Sequence, residues 1–349
     1  MKLLKTWIAV LVCLIMVAGM VGCANPAASN ANTAPGENVK PGTEDKAPQD
    51  DTTGQEPAKE QIKIGVVLKS LSDSFWVRVS DGIKSASKEN NVELILMAPD
   101  TPNDSAQQLR IMEDMITQQV DGIVLGPAGS KELVSAVKKA NSANIPVVVI
   151  DTKLDEEEMA NQGATIEAYI GSDNVEIGRQ SGEALAQLLG GKGKVAEIEG
   201  LNGHESSIAR CQGFEEAMAK YKDIEIVAKQ PADWDTNKGF TVIQNIVQAN
   251  PDLAGVWVAS DLMGVGGAQA IKQAGKAGEI ILVGVDGMPE AVQDIGEGLY
   301  AATLAQQPEE MGSSGIEAII KIKNGETIEP VIYTSLLLID ESNYEKYLK

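Results

Sequence analysis

From Ile62 onward the chain repeats one unit, a short run of β-branched and aliphatic residues followed by a stretch whose apolar positions recur at helical spacing. That alternation predicts parallel strands joined by crossover helices. A parallel pair needs a connection of a dozen or more residues, and a strand covered on both faces reads as an unbroken apolar run. Residues 62–68, 92–97, 122–125 and 147–150 predict strands, with helices over 75–90, 105–119 and 131–141. The rhythm resumes after Ser172, with strands over 194–198, 224–227, 255–258 and 280–285 and helices beginning near Asn174, Ser207, Thr236 and Leu262. The 349 residues exceed what one core usually organises. The pattern therefore predicts an α/β protein of two doubly wound parallel-sheet lobes.

The first 61 residues follow different rules. Lys2 and Lys5 precede an apolar run over 7–21, and small or polar residues follow at once, which reads as a secretory signal over 1–22. The run closes on Met20-Val21-Gly22-Cys23, which resembles a bacterial lipoprotein processing site. The resemblance implies that Cys23 receives a lipid, palmitate included, and becomes the amino terminus of a protein anchored to the outer face of the cell membrane. Residues 24–61 are rich in Ala, Asn, Pro, Gly, Thr, Glu and Asp without apolar periodicity. They predict a disordered tether over 23–61, with a root-mean-square reach on the order of 35 Å. Cys13 falls in the signal run and Cys211 in a helical pattern, so no disulfide framework is expected, and Cys211 reads as a small, partly buried hydrophobe. With 29 Lys and Arg against 50 Asp and Glu, the net charge of -21 repels nucleic acid and anionic lipid.

Signatures of catalysis are scarce. There is a single histidine, His204, and no G-x-S-x-G elbow, P-loop or H-E-x-x-H pair. The expectation is a protein that is not an enzyme and holds no cofactor or metal, with His204 a loop residue near a cleft. Gly264, Gly266 and Gly267 stand out of register with a dinucleotide fingerprint and predict close helix packing; Gly190, Gly191 and Gly193 predict a helix-to-strand turn. In a doubly wound sheet, ligands bind beyond the carboxyl ends of the strands. Lys69, Asp151, Ser260, Asp261, Asp286 and Gln306 each follow a β run. Residues 67–76 set Lys69, hydroxyls and Asp73 directly before Phe75 and Trp76, and residues 230–235 contribute Trp234. Rings beside hydrogen-bonding groups suit a carbohydrate, whose C–H faces stack while its rim hydroxyls need donors and acceptors. The same two aromatics could equally staple their helix to the core.

The order of 67–77, 230–235, Val-Gly-Val-Asp-Gly-Met-Pro at 283–289 and Ala-Thr-Leu-Ala-Gln at 302–306 resembles the ribose-type periplasmic sugar-binding proteins of ABC transporters, and among them the allose binders, from about Ile62 to the end. The resemblance implies a type I periplasmic-binding fold with lobes over 62–172 plus 306–332 and 173–305 plus 333–349, joined by three crossings near Ser172, Ala305 and Tyr333. It implies a monomer in whose cleft Phe75, Trp76 and Trp234 sandwich a monosaccharide ring, while Lys69, Asp73, Asp151, Arg210, Ser260, Asp286 and Gln306 bond its hydroxyls. The partner is the permease of an ABC importer; a chemoreceptor or sensor kinase is the alternative partner, and a polyol or amino sugar the alternative ligand. Asp73 and Ser260 stand where these proteins usually carry asparagine, and Thr152 where the ribose binders carry arginine, which leaves the sugar open. A repressor with the same lobes would need a DNA-binding domain where the signal run lies.

Overall fold

The computed structural model describes residues 61–348. The predicted signal, Cys23 and all but the last residue of the predicted tether lie outside the described residues.

The first lobe is built from β1 (Lys63–Val67), α1 (Ser74–Glu89), β2 (Glu93–Met97), α2 (Ser105–Thr117), β3 (Gly122–Leu125), α3 (Val134–Ser142), β4 (Val147–Ile150), α4 (Glu156–Gln162) and β5 (Ala168–Gly171). The second lobe holds α5 (Asn174–Leu188), β6 (Lys192–Glu199), α6 (Glu205–Met218), β7 (Asp223–Pro231), α7 (Thr236–Ala249), β8 (Leu253–Val258), α8 (Asp261–Gln273), β9 (Ile281–Asp286), α9 (Pro289–Gly296) and β10 (Ala302–Ala305). The chain then returns: α10 (Pro308–Lys323) packs on α1, and β11 (Val331–Tyr333) pairs with β5. β12 (Leu337–Asp340) goes back to pair with β10.

Two six-stranded sheets result, in the orders β11-β5-β4-β3-β1-β2 and β12-β10-β9-β8-β6-β7. Every pairing is parallel except the antiparallel edge β10–β12. The doubly wound α/β architecture expected from the alternation is thus present. Between β5 and α5, β10 and α10, and β11 and β12 the chain passes from one lobe to the other. Strands β5, β10, β11 and β12 were not among the runs picked out by composition. β3 and β4 are as short but wholly aliphatic apart from one glycine, whereas β5, β10 and β12 carry Ala, Gly, Thr or Asp and β11 has only three residues.

Strand periodicity decides how the first lobe fills. Ile64, Val66 and Leu68 pack with Val79 and Ile83 of α1 and Ile316 and Ile319 of α10, whereas Val67, Ile123 and Val149 meet Met112 and Met115 of α2 and Val137 of α3 on the opposite face. Successive residues of one strand therefore serve two cores, one on each side of the sheet. In the second lobe Phe214 of α6 stacks on Trp257 of β8, ring centroids 4.5 Å apart and 13° from parallel. Both rings are fully buried, and the indole N–H donates to Ser181 Oγ at 2.8 Å. The glycines at 264–267 lie inside α8 as expected: a Cβ on Gly266 would strike the backbone oxygen of Thr236, so α7 and α8 meet at backbone distance. Among the described residues no helix is long and apolar enough to cross a membrane.

Because Phe214 has no exposed surface and its stacking partner is fixed by a hydrogen bond, Phe214→Ala is expected to destabilise the protein by about 3–5 kcal/mol. Urea unfolding followed by tryptophan fluorescence measures it; a loss below ~1 kcal/mol would show that the second lobe repacks freely around the void.

Candidate ligand-binding cleft

The strand order reverses between β1 and β3 in one sheet and between β6 and β8 in the other. Connections leaving two strands on opposite sides of such a point diverge, which opens a crevice at the carboxyl ends. The two crevices face each other across a cavity of about 600 Å³. Lys69, Asp73, Phe75, Trp76 and Asp151 line it from the first lobe, and Arg210, Trp234, Ser260 and Asp286 from the second. Gln306, the remaining residue expected there, is buried behind the wall and reaches the site only through Asp286.

Two buried ion pairs occupy opposite walls. Lys69 Nζ donates to Asp151 Oδ2 at 2.9 Å and to Thr152 Oγ1 at 2.8 Å, while Thr152 Oγ1 donates to the same carboxylate oxygen at 2.7 Å. Asp286 accepts from Ser260 Oγ at 2.5 Å, Gln306 Nε2 at 2.6 Å and Arg210 at 3.3 Å. Arg210 is oriented by Asn174 Oδ1 at 2.9 Å and the carbonyl of Ala259 at 2.7 Å. The two carboxyls titrate in opposite directions. Burial works to raise Asp151, but Lys69, Arg210 and Thr152 outweigh it and hold the group below the ordinary aspartate range. Burial also raises Asp286, and there Arg210, Ser260 and Gln306 do not fully offset it. The ammonium sits 2.9 Å from its carboxylate, whereas the guanidinium sits 3.3 Å away, and the Asp151 charge adds to the rise at Asp286.

Asp151, just past β4, and Asp286, the last residue of β9, take backbone conformations that non-glycine residues seldom adopt, with φ of 65° and 119°. Surrounding bonds enforce the turn at Asp286. Buried Asp261 accepts from the Met288 N–H at 3.0 Å and Thr303 Oγ1 at 2.7 Å, and the Gly287 N–H donates to Thr303 Oγ1 at 3.1 Å. Trp234 lies in a similar turn, with φ of 58°, and Asp233 before it at 53°.

The indoles rest on glycines. A Cβ on Gly126, just past β3, would stand 2.8 Å from the Trp76 ring, and one on Gly200, just past β6, would overlap the Trp234 ring. Phe75 and Trp76 satisfy both readings of their segment. Each belongs to the first lobe's core, edge to face with centroids 5.4 Å apart, and each also shows a surface to the cavity. Asp73 caps α1, its Oδ1 accepting from the Trp76 N–H at 3.0 Å. Ser260 likewise caps α8 through the Leu262 N–H at 3.2 Å.

Residues 64–327 match the family described as periplasmic binding protein domain. The chain belongs to that family. This periplasmic binding protein is 36% identical to the D-allose-binding periplasmic protein of Escherichia coli (strain K12) over 267 residues, 76% of this chain and 86% of that protein. It is 35% identical to the ribose import binding protein of Bacillus subtilis (strain 168) over 280 residues, covering 80% and 88% of the two chains. A solved ABC transporter periplasmic solute-binding protein from Actinobacillus succinogenes 130z, with bound D-allose, superposes at a TM-score of 0.79. It shows 31% identity over 82% of this chain and 100% of that one.

Sequence reasoning passed over several residues of the periplasmic binding protein's cleft. Thr152 was noted only as a departure, yet its hydroxyl serves Lys69, Asp151 and, across the cleft, Ser206 Oγ at 3.2 Å. Asn174, which aims Arg210, looked like an ordinary first residue of a helix. His204, expected in a loop, is the cap position of α6 and is buried. One further cluster lies off the cleft: Glu197, Glu199 and Cys211 hold ligand-type atoms within 4.8 Å of one another. Lys229 stands 3.5 Å from Glu197 and also pairs with Glu215, so a cation already serves this group. Burial pushes the Cys211 thiol up, as for the partly buried hydrophobe expected from sequence.

Burial, only partly offset by Lys229, drives the Glu197 carboxyl from 4.5 up to about 7. The folded state therefore holds this proton more tightly than the unfolded chain, so the contribution is whole below pH 4.5 and is lost as pH rises through 7. Glu197→Gln removes that loss. Relative to the parent protein it is expected to gain stability between pH 5 and pH 8, read from denaturation midpoints at the two ends; a pH-independent difference would refute the burial account.

Proposed function

We propose that this chain is an extracytoplasmic, lipid-anchored solute-binding protein that captures one neutral monosaccharide, allose- or ribose-like, in the cleft between its lobes and delivers it to an ABC importer. The observation that carries the reading is charge balance. The four buried charges of the cleft form two matched pairs, Lys69 with Asp151 and Arg210 with Asp286, one on each lobe. A charged ligand would bring a charge that these matched pairs do not compensate, whereas a polyhydroxy ring adds hydrogen bonds without adding charge.

Three features support the reading. Aromatic surfaces of Trp76 and Trp234 enter the cavity from opposite lobes, as stacking on both faces of a sugar ring requires. The volume of about 600 Å³ suits a small molecule with room for lobe movement. The allose and ribose binders among its relatives supply the ligand class. Catalysis plays no part in this account: the only histidine has both ring nitrogens engaged by protein groups. The lobes 62–172 plus 306–332 and 173–305 plus 333–349 would close about the crossings near Ser172, Ala305 and Tyr333, presenting the permease with a shape that reports occupancy. The signal run and Cys23 with its tether supply export and the membrane anchor, leaving the binding domain free to reach the transporter.

Thermal shift across aldoses, polyols, amino acids and nucleosides is expected to single out aldoses or their close polyol kin. Stabilisation by amino acids or nucleosides alone would overturn the sugar reading. Arg210→Ala and Asp286→Ala are each expected to weaken sugar binding at least about tenfold with the fold intact, because each strands a buried partner. Asp73→Asn tests specificity with little effect on stability, since asparagine caps helices as well as aspartate does. An amide donates where a carboxylate only accepts, so binding of allose relative to the natural ligand is expected to improve by up to roughly 1–3 kcal/mol. An unchanged ligand ranking in calorimetry would remove Asp73 from the specificity set.

A further inference from the structure

The His204 side chain bonds both lobes at once through two different ring atoms. Its Nε2 lies 2.6 Å from the carbonyl of Ala128, in the β3–α3 connection of the first lobe. Its Nδ1 lies 3.2 Å from Trp234 Nε1, in the β7–α7 connection of the second. The tautomer follows from the partners: a carbonyl only accepts and an indole N–H only donates, so Nε2 carries the proton and Nδ1 accepts. With both nitrogens spent, the ring makes no hydrogen bond to cap its own helix, although it occupies the cap position of α6. The ring is 3% exposed and its bond to Ala128 is buried, while the bond to Trp234 is half-buried at the cavity edge. Burial first, and then the Lys69 charge, hold the imidazole neutral down to about pH 4, which keeps this arrangement intact at ordinary pH.

What lies behind each partner gives the bridge its meaning. On the first lobe, fully buried Gln108 braces residues 126–128, accepting from the Ala128 N–H at 2.7 Å and donating to the Gly126 carbonyl at 2.7 Å. Gly126 is the residue on which the Trp76 ring rests. A continuous path thus runs from one indole to the other: Trp234, His204, Ala128, the Gln108 clamp, Gly126, Trp76.

We propose that His204 is a positioning residue whose imidazole, on closure, ties the indole wall of one lobe to the loop that carries the indole wall of the other, setting the gap into which a ring must fit. The proposal rests on the sugar-binding reading for what fills the gap, but the bridge itself is a property of closure. Neighbouring interlobe bonds, Glu205 N–H to Ser130 Oγ at 3.1 Å and Thr152 to Ser206 at 3.2 Å, hold the same seam without touching either indole. Opening the lobes must break the bond to Ala128, and a ligand that displaces Trp234 strains the bond to Nδ1. His204 therefore couples ring thickness to closure.

Two variants separate the hydrogen bonds from the shape. His204→Phe keeps a flat ring and removes both bonds; His204→Gln offers one donor and one acceptor on a single amide. Interlobe energy transfer between dyes on one exposed site per lobe measures the closed fraction without ligand, and stopped-flow tryptophan fluorescence measures sugar release. His204→Phe is expected to lower the ligand-free closed fraction and raise the dissociation constant about tenfold, chiefly through faster release, with His204→Gln within about threefold of the parent. Unchanged closure and release in His204→Phe, or equal losses in both variants, would overturn the proposal. If no sugar binds the parent protein, the ligand reading fails, while the ligand-free arm still decides the bridge. Should His204→Phe not fold, Trp234→Phe, which keeps an aromatic ring but deletes the indole donor and one fused ring from the path, is expected to lower the closed fraction in the same assay; no change there would overturn the proposal.

Discussion

Two buried ion pairs, one on each wall of the cleft, are the constraint around which this molecule is arranged. An isolated carboxylate or ammonium cannot be taken out of water without severe loss, and a pair is tolerable only when geometry is good and the remaining donors and acceptors are satisfied. The first lobe meets that condition with Lys69, Asp151 and Thr152, drawn from the ends of β1 and β4. The second meets it with Arg210, Asp286, Ser260, Asn174 and Gln306, drawn from five separate segments. Each set needs strand ends to be neighbours, which only the doubly wound order of the sheets provides.

The backbone around these pairs is shaped to match. Asp151 and Asp286 occupy left-handed conformations at the last step of their strands. The Asp261–Thr303 bonds under the β9–α9 turn show how the second is enforced. Gly126 and Gly200 follow β3 and β6, strands on opposite sides of the reversal in their respective sheets, and each leaves room for an indole where any side chain would intrude. Each lobe thus sets one bare strand end under a tryptophan and one compensated carboxylate at the end of its fourth strand, β4 or β9.

Across the seam hydrogen bonds join the lobes, among them His204 to the Ala128 carbonyl, Glu205 N–H to Ser130, Thr152 to Ser206 and Arg78 to the Gly287 carbonyl. Such contacts form and break without exposing core, so two arrangements of the lobes can lie close in free energy. That is the condition under which a small ligand, contributing a handful of bonds to both walls, governs closure.

The alternation of apolar runs with helical periods was enough to specify two parallel α/β lobes, because crossover geometry leaves such a pattern few alternatives. It was also enough to direct attention to strand ends, and so to Lys69, Asp151, Ser260, Asp286 and Gln306. Trp234 came forward as an aromatic among hydrogen-bonding groups, and Arg210 only through the family resemblance. What the one-dimensional pattern could not contain was the identity of neighbours. Four short strands escaped notice because three of them interrupt the aliphatic run with Ala, Gly, Thr or Asp and the fourth has only three residues. Thr152, Asn174 and Asp261 looked like turn and cap residues, and they are that, yet their remaining bonds reach charges brought near by the sheets. His204 is the clearest instance: the sequence shows a lone histidine in a polar turn, whereas its partners lie 76 and 30 positions away. Hydrogen-bond roles are assigned by distance and angle, and for residues so far apart along the chain only the packing of two lobes sets either one.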